Sequence, residues 1–252
     1  MTTIAITNIS TIVTDPDVQR FAAACQVSAA RDFCPIWNIA SPTIIFYAKG
    51  SKIPGNAWQL VIADDSDQLG ALGYHELTAK GFPIGYAFAK TDIADGSQWT
   101  VTASHELWEQ LGDPWINTVV EIDHRDGTTE FRPLEVSDAV EDDQYAYLVD
   151  LHDGKASVLI SDFVAPAYFQ INAPKKFAYD MTEHVAEPLQ LLPGGYTLSL
   201  IASSGEGWKQ VTAQKATSRR NEMVLGGKAI VPGSRRHRRM MPDSQWRLSE
   251  RE

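Results

Sequence analysis

Short apolar runs with period two alternate along this chain with two stretches of helical period. Residues 4–9, 43–48, 58–63 and 83–89 are rich in Ile, Val, Phe and Tyr, and glycine or proline signals bound the middle runs, a pattern that predicts strands. Thr14-Asp15-Pro16 offers an N-cap followed by a first-turn proline. Val18, Phe21, Ala22, Cys25, Val27 and Ala29 then form one apolar stripe, predicting a helix to about Asp32 that Phe33-Cys34-Pro35 stops. A second helix is expected over about 98–112, opened by Asp95-Gly96-Ser97 and closed by Gly112-Asp113-Pro114. Beyond it the chain reads as extended over 117–122, 128–134, 144–149 and 157–163. Turns at Arg125-Asp126-Gly127 and His152-Asp153-Gly154 interrupt it, and two further strands are expected at 196–202 and 208–213. Two main helices among many strands predict an α+β fold with a mixed β-sheet and a β-rich C-terminal half. One domain is expected over residues 1–232, with a possible sub-boundary near 115.

The length of 252 residues suits one sizeable core. The net charge of −10 makes nucleic acid an unfavoured partner for the domain, because phosphate needs a basic surface. The last segment differs: residues 233–252 hold Arg235, Arg236, Arg238, Arg239, Arg247 and Arg251 with little apolar periodicity. They read as a basic C-terminal tail, either a solvated end or, over residues 234–252, a segment that docks on an acidic protein partner in an assembly or on nucleic acid. No basic-then-apolar start and no run of about eighteen apolar residues is present, so neither a secretory signal nor a membrane partner is expected. Cys25 and Cys34, nine residues apart, are too far separated within one helix to bridge and are expected as buried free thiols of a reducing compartment.

The chemistry lies on the second helix. His105 and Glu109 are four apart and project from one face, with Glu106 beside them. In the helix H-E-x-x-H two histidines bind zinc and the intervening glutamate is a general base towards water. Here the fifth position is Glu109, and a carboxylate binds zinc at nearly the same distance as an imidazole. A His–Glu pair at this spacing is common on solvated helices, so context decides. Val101, Ala103, Leu107, Trp108 and Leu111 indicate a buried helix, in which charged groups must be paired or bound to metal.

A catalytic zinc needs a third protein ligand. Glu135 is the first choice, at the end of an extended run 26 residues past Glu109. Asp138 is the second, either as ligand or as an orienting partner of His105. His75 is a further candidate, although a lone histidine is more often simply packed. Glu141, Asp142 and Asp143 read as a solvated turn. His124, His152, His184 and His237 lack metal spacing. Tyr145, Tyr147 and Tyr179 are candidates for stabilising an oxyanion.

Ser104-His105-Glu106-Leu107-Trp108-Glu109-Gln110-Leu111-Gly112-Asp113-Pro114, followed by Glu135-Val136-Ser137-Asp138, resembles a zincin-like group of phage and bacterial proteins. That group carries S-H-E-L-x-E-x-x-x-D-P and then E-[IV]-x-D, and plant phosphate-induced (exordium-like) proteins are similar. Asp32-Phe33-Cys34-Pro35-Ile36-Trp37, Leu72-Gly73-Tyr74-His75 and Ser161-Asp162-Phe163-Val164 resemble phage and bacterial members too. The resemblance spans roughly residues 1–210 and leaves the tail outside. It implies a zincin-like fold and a zinc metallopeptidase acting on a peptide or protein substrate, with Glu106 catalytic and His105, Glu109 and Glu135 or Asp138 on the metal. Its alternative implication is a catalytically silent zincin-fold component of a virion, so a cytoplasmic or virion-associated location is expected. Replacing one histidine by glutamate leaves the metal site more nearly neutral. Such a site activates water less and tilts preference towards harder ions such as Ca2+ or Mn2+.

Overall fold

The computed structural model describes residues 2–68, 71–173 and 178–213. Strand β1 (Thr3–Asn8) leads into helix α1 (Asp15–Ser28). Thr14 caps this helix reciprocally: its hydroxyl accepts the Asp17 N–H while the Asp17 carboxylate accepts the Thr14 N–H. Pro35 does not stop the helix. A π-helical turn, Ala29–Phe33, widens it, and α2 (Cys34–Trp37) follows with Pro35 in its first turn. The wider turn, closed by Cys34 N–H on the Ala29 carbonyl, relieves the clash a proline ring makes with the carbonyl four residues back. Asn38, left-handed at φ 51°, ends it.

The chain returns through β2 (Thr43–Tyr47), β3 (Trp58–Ala63), β4 (Gly73–Leu77) and β5 (Pro83–Phe88). These form one mixed sheet in the order β2-β1-β3-β5-β4. Its first four strands are parallel, and β4 runs antiparallel to β5 at the edge. Strand β4 has no apolar alternation to announce it, because Tyr74, His75 and Glu76 are all half-buried. Helix α3 (Ala89–Asp95) was likewise not foreseen. It ends at Gly96, whose φ of 79° suits the left-handed cap, so this glycine closes one helix before the next opens.

That next helix is α4 (Trp99–Gly112). Gln98 offers no side-chain cap, but Asp143 accepts the Gln98 N–H at 2.9 Å, placing a carboxylate at the positive end of the helix. The segment expected as a solvated turn thus anchors the central helix. Asp113 ends α4 by accepting the Thr118 N–H and hydroxyl. Strands β6 (Val119–Asp123), β7 (Thr129–Pro133), β10 (Tyr196–Ile201) and β11 (Lys209–Thr212) form an antiparallel sheet in the order β11-β10-β7-β6. Between β7 and β10, β8 (Tyr147–Val149) pairs with β9 (Val158–Ile160).

One hydrophobic core joins these parts, from Ile4 and Phe21 through Leu107 to Val136 and Ile160. At its centre Trp108 stacks on Phe33 with ring centroids 5.2 Å apart, Phe163 packs edge-on to Phe33, and the indole N–H donates to the Ser161 carbonyl. Cys25 and Cys34 are buried free thiols. Among the described residues no helix is long and apolar enough to cross a membrane. The basic tail expected at 233–252 lies outside the described residues.

Candidate metal centre

Every residue of α4 from Val101 to Leu111 is buried, so its polar side chains must find partners inside the protein. Ser104 accepts the Ser161 N–H at 2.8 Å, tying the helix to the end of β9. His105, Glu106 and Glu109 face the edge strand β4 and the segment after β7. Glycine sets the first approach: a Cβ at Gly73 would stand 2.7 Å from Glu106 Oε1 and 2.8 Å from both Thr102 Cγ2 and the Tyr86 carbonyl. The second approach brings Val136 against Gly112, where a Cβ would meet Val136 Cγ1 at 2.7 Å. Hydrogen bonds from Val164 N–H to the Val136 carbonyl and from Leu192 N–H to the Ala139 carbonyl hold this segment in place. A 3-10 turn at Asp138–Val140 then turns Asp138 inward. Gly73→Ala is expected to cost about 1–3 kcal/mol through overpacking, read as a lower denaturation midpoint. An unchanged midpoint would contradict this packing of β4 on α4.

Two three-residue groups result, each with ligand atoms mutually within 4.8 Å, and they share Glu109. In the first, His105 Nε2 lies 3.0 Å from Glu109 Oε1 and 3.3 Å from Asp138 Oδ1. In the second, His75 Nδ1 lies 3.0 Å from Glu109 Oε2, and His75 Nε2 lies 3.7 Å from Glu135 Oε2. His75 Nδ1 also donates to Glu106 Oε2 at 3.1 Å. The structure therefore brings His105, Glu109 and Asp138 together and turns Glu135 towards His75. Glu106 lies between, lining with His105, Gly73 and Thr102 a cavity that leaves about 10 Å³ for the centre of a water molecule.

The donor set suits a divalent cation. Tetrahedral zinc holds nitrogen and oxygen ligands at about 2.0–2.1 Å, which separates the ligand atoms by about 3.3–3.4 Å. The contacts around His105 are close to that edge length. Glu109 Oε1, although 3.0 Å from His105 Nε2, is buried without a hydrogen bond. Four carboxylates (Glu106, Glu109, Glu135 and Asp138) face only two imidazoles. If all four were ionised, two negative charges would remain even with both imidazoles protonated, an arrangement that burial makes costly without a cation.

Titration behaviour reflects the crowding. Burial opposes charge on His105, but Glu109, Asp138 and Glu106 outweigh it and hold its pKa well above the ordinary value. His75 behaves alike, with burial outweighed by Glu106, Glu109 and Glu135. Glu109 is lowered, because His105 and His75 overcome its burial. Burial and the Glu109 charge push Asp138 up to about 7 against the pull of His105.

The remaining candidates are engaged elsewhere. Tyr145 donates to the Pro193 carbonyl, Tyr147 pairs with Ser28, and Tyr179 donates to the Ala173 carbonyl. His124 pairs with Glu130 and His152 with Asp150. His237 lies outside the described residues. His184 joins a group that spacing alone did not suggest, with Asp162 and Asp180. These two carboxyls are buried and fully occupied. Asp162 accepts the Phe163 and Met181 N–H groups, and Asp180 accepts those of His184 and Val185.

Burial and then the Asp180 charge raise the Asp162 pKa to about 8. The folded state therefore retains a proton that the unfolded chain releases near its ordinary pKa of about 3.9. This contribution to stability is complete below about pH 4 and is lost as pH rises to about 8, with a slope of at most about 1.4 kcal/mol per pH unit. Asp162→Asn is expected to flatten that part of the stability profile, measured by denaturation across the range. An unaltered slope would contradict a proton retained on Asp162 in the folded state.

Comparisons with protein families, with curated proteins and with solved structures give no match to this chain.

Proposed function

We propose that this chain is a zincin-like metallopeptidase, with zinc held by His105, Glu109 and Asp138 and with Glu106 as general base. The carrying observation is Glu109 Oε1, buried without a hydrogen bond and 3.0 Å from His105 Nε2, with Asp138 3.3 Å from the same nitrogen. Asp138 is preferred to Glu135 because it shares His105 Nε2 with Glu109, whereas Glu135 faces the other histidine. A mixed sheet whose antiparallel edge strand runs beside the buried helix supports the zincin-like reading.

Zinc bound there would polarise a carbonyl and make a neighbouring water more acidic. Glu106 is placed to take the proton of that water, being next to His105 on the helix and in the same cavity. His75 holds Glu106 through the Nδ1 hydrogen bond and fixes the direction of its second oxygen. As water adds to the acyl carbon and the C–N bond breaks, Glu106 passes the proton to the departing amine.

Elemental analysis of zinc-loaded protein beside His105→Ala tests the assignment. The variant is expected to lose at least one equivalent of zinc. Equal zinc in both, or none in the parent protein after zinc is added back, would remove the metal from this site. The narrow cavity favours a second reading, in which the metal is structural and the chain is a silent component of a larger assembly. A protein that keeps its zinc yet leaves a labelled unfolded polypeptide uncut would establish that reading over the first.

A further inference from the structure

We propose that Glu109 bridges two divalent cations, and that His75 and Glu135 complete a second position beside the one at His105 and Asp138. The inference rests on the reading of the first position given above. The two oxygens of Glu109 point to different histidines: Oε1 to His105 Nε2 and Oε2 to His75 Nδ1, each at 3.0 Å. The same carboxylate therefore belongs to both three-residue groups.

His75 supplies the independent observation. Its side chain is only 8% exposed, and its Nε2 is buried without a hydrogen bond. That nitrogen faces the Glu135 carboxylate across 3.7 Å. A proton on Nε2 would draw the pair to about 2.7–3.2 Å, the range of an N–H···O bond. A separation of 3.7 Å is too long for that bond. It suits a cation with ligands at about 2.1 Å, whose neighbouring donors stand about 3–4 Å apart. One ligand atom from each of His75, Glu109 and Glu135 lies within 4.8 Å of the others. One imidazole and two carboxylates form a donor set that manganese accepts as readily as zinc.

Two cations held by these residues would together stabilise the attacking and leaving groups of a hydrolysed bond. They also answer the charge problem. One divalent ion offsets two of the four carboxylate charges, and two ions offset all four.

The test uses the full chain, stripped by chelation and equilibrated with Mn2+, then read by elemental analysis and electron paramagnetic resonance. The parent protein is expected to hold two equivalents and to show the exchange-coupled multiline signal of a bridged pair. His75→Ala and the near-isosteric Glu135→Gln are each expected to keep one equivalent, with the hyperfine sextet of an isolated ion. A single equivalent in the parent, unchanged in Glu135→Gln and lost in His105→Ala, would overturn the second position and leave the first intact. No bound manganese or zinc in the parent would overturn both. Two equivalents surviving in both variants would overturn the assignment of His75 and Glu135.

Discussion

Glu106→Gln is expected to lower kcat for cleavage of an unfolded polypeptide by about 10²–10⁴-fold, the usual worth of a positioned general base. Zinc content should stay at the parental level. The substitution keeps the shape of the side chain and an oxygen that accepts from His75 Nδ1, so the geometry around Gly73 and Thr102 persists. What it removes is the basic site. Neither His105, Glu109 nor Asp138 is altered, so a fall in activity with unchanged zinc would separate base from ligand. Cleavage measured beside elemental analysis decides the matter. Parental cleavage by the variant would eliminate Glu106 as the base, and a parallel loss of zinc would make it a ligand instead.

How much of this arrangement was visible in the sequence depended on whether local or distant partners fix each element. The α1 cap was legible because Thr14 and Asp17 satisfy one another within one turn. The α4 motif was legible because a four-residue spacing places His105 and Glu109 on one face. Strands β3, β5, β7 and β10 announced themselves through compact β-branched and aromatic runs. Strand β4 did not, since it is an edge strand whose side chains are half-buried and polar. With it went the role of His75, which pairing to β5 brings over α4. Gly73 was the one local sign: a residue without a Cβ two positions before a histidine marks a close approach, here to Glu106.

The choice between Glu135 and Asp138 was beyond local pattern for a related reason. Both follow β7, and only the 3-10 turn at Asp138–Val140 decides which carboxylate reaches His105. That turn is held by long-range contacts, Leu192 to the Ala139 carbonyl and the close passage of Gly195, where a Cβ would collide with the same carbonyl oxygen. Proline misled at position 35 because its helix-breaking effect assumes α geometry, which the π-helical turn suspends.

Chelation is expected to lower the melting temperature by about 5–16 °C. A ligand present at 100–1,000 times its Kd contributes about 2.7–4.1 kcal/mol, and a domain of this size shifts by about 2–4 °C per kcal/mol. The effect should grow with pH, for two reasons with the same sign. Without metal, His105 and His75 have raised pKa values, so their contribution is complete below the unfolded value of about 6.5 and is lost as pH rises through the raised values. Asp138, raised to about 7, likewise withdraws its contribution as pH climbs from about 4 towards 7. The lowered Glu109 acts only on the acid side, where its contribution is lost as pH falls below about 4.3. With metal, the cation displaces the same protons, so its affinity increases as they become easier to remove. Melting curves with and without chelator at about pH 6 and pH 8 should therefore diverge with rising pH. A gap that narrows instead would mean that protons, rather than a cation, balance the buried carboxylates around Glu109.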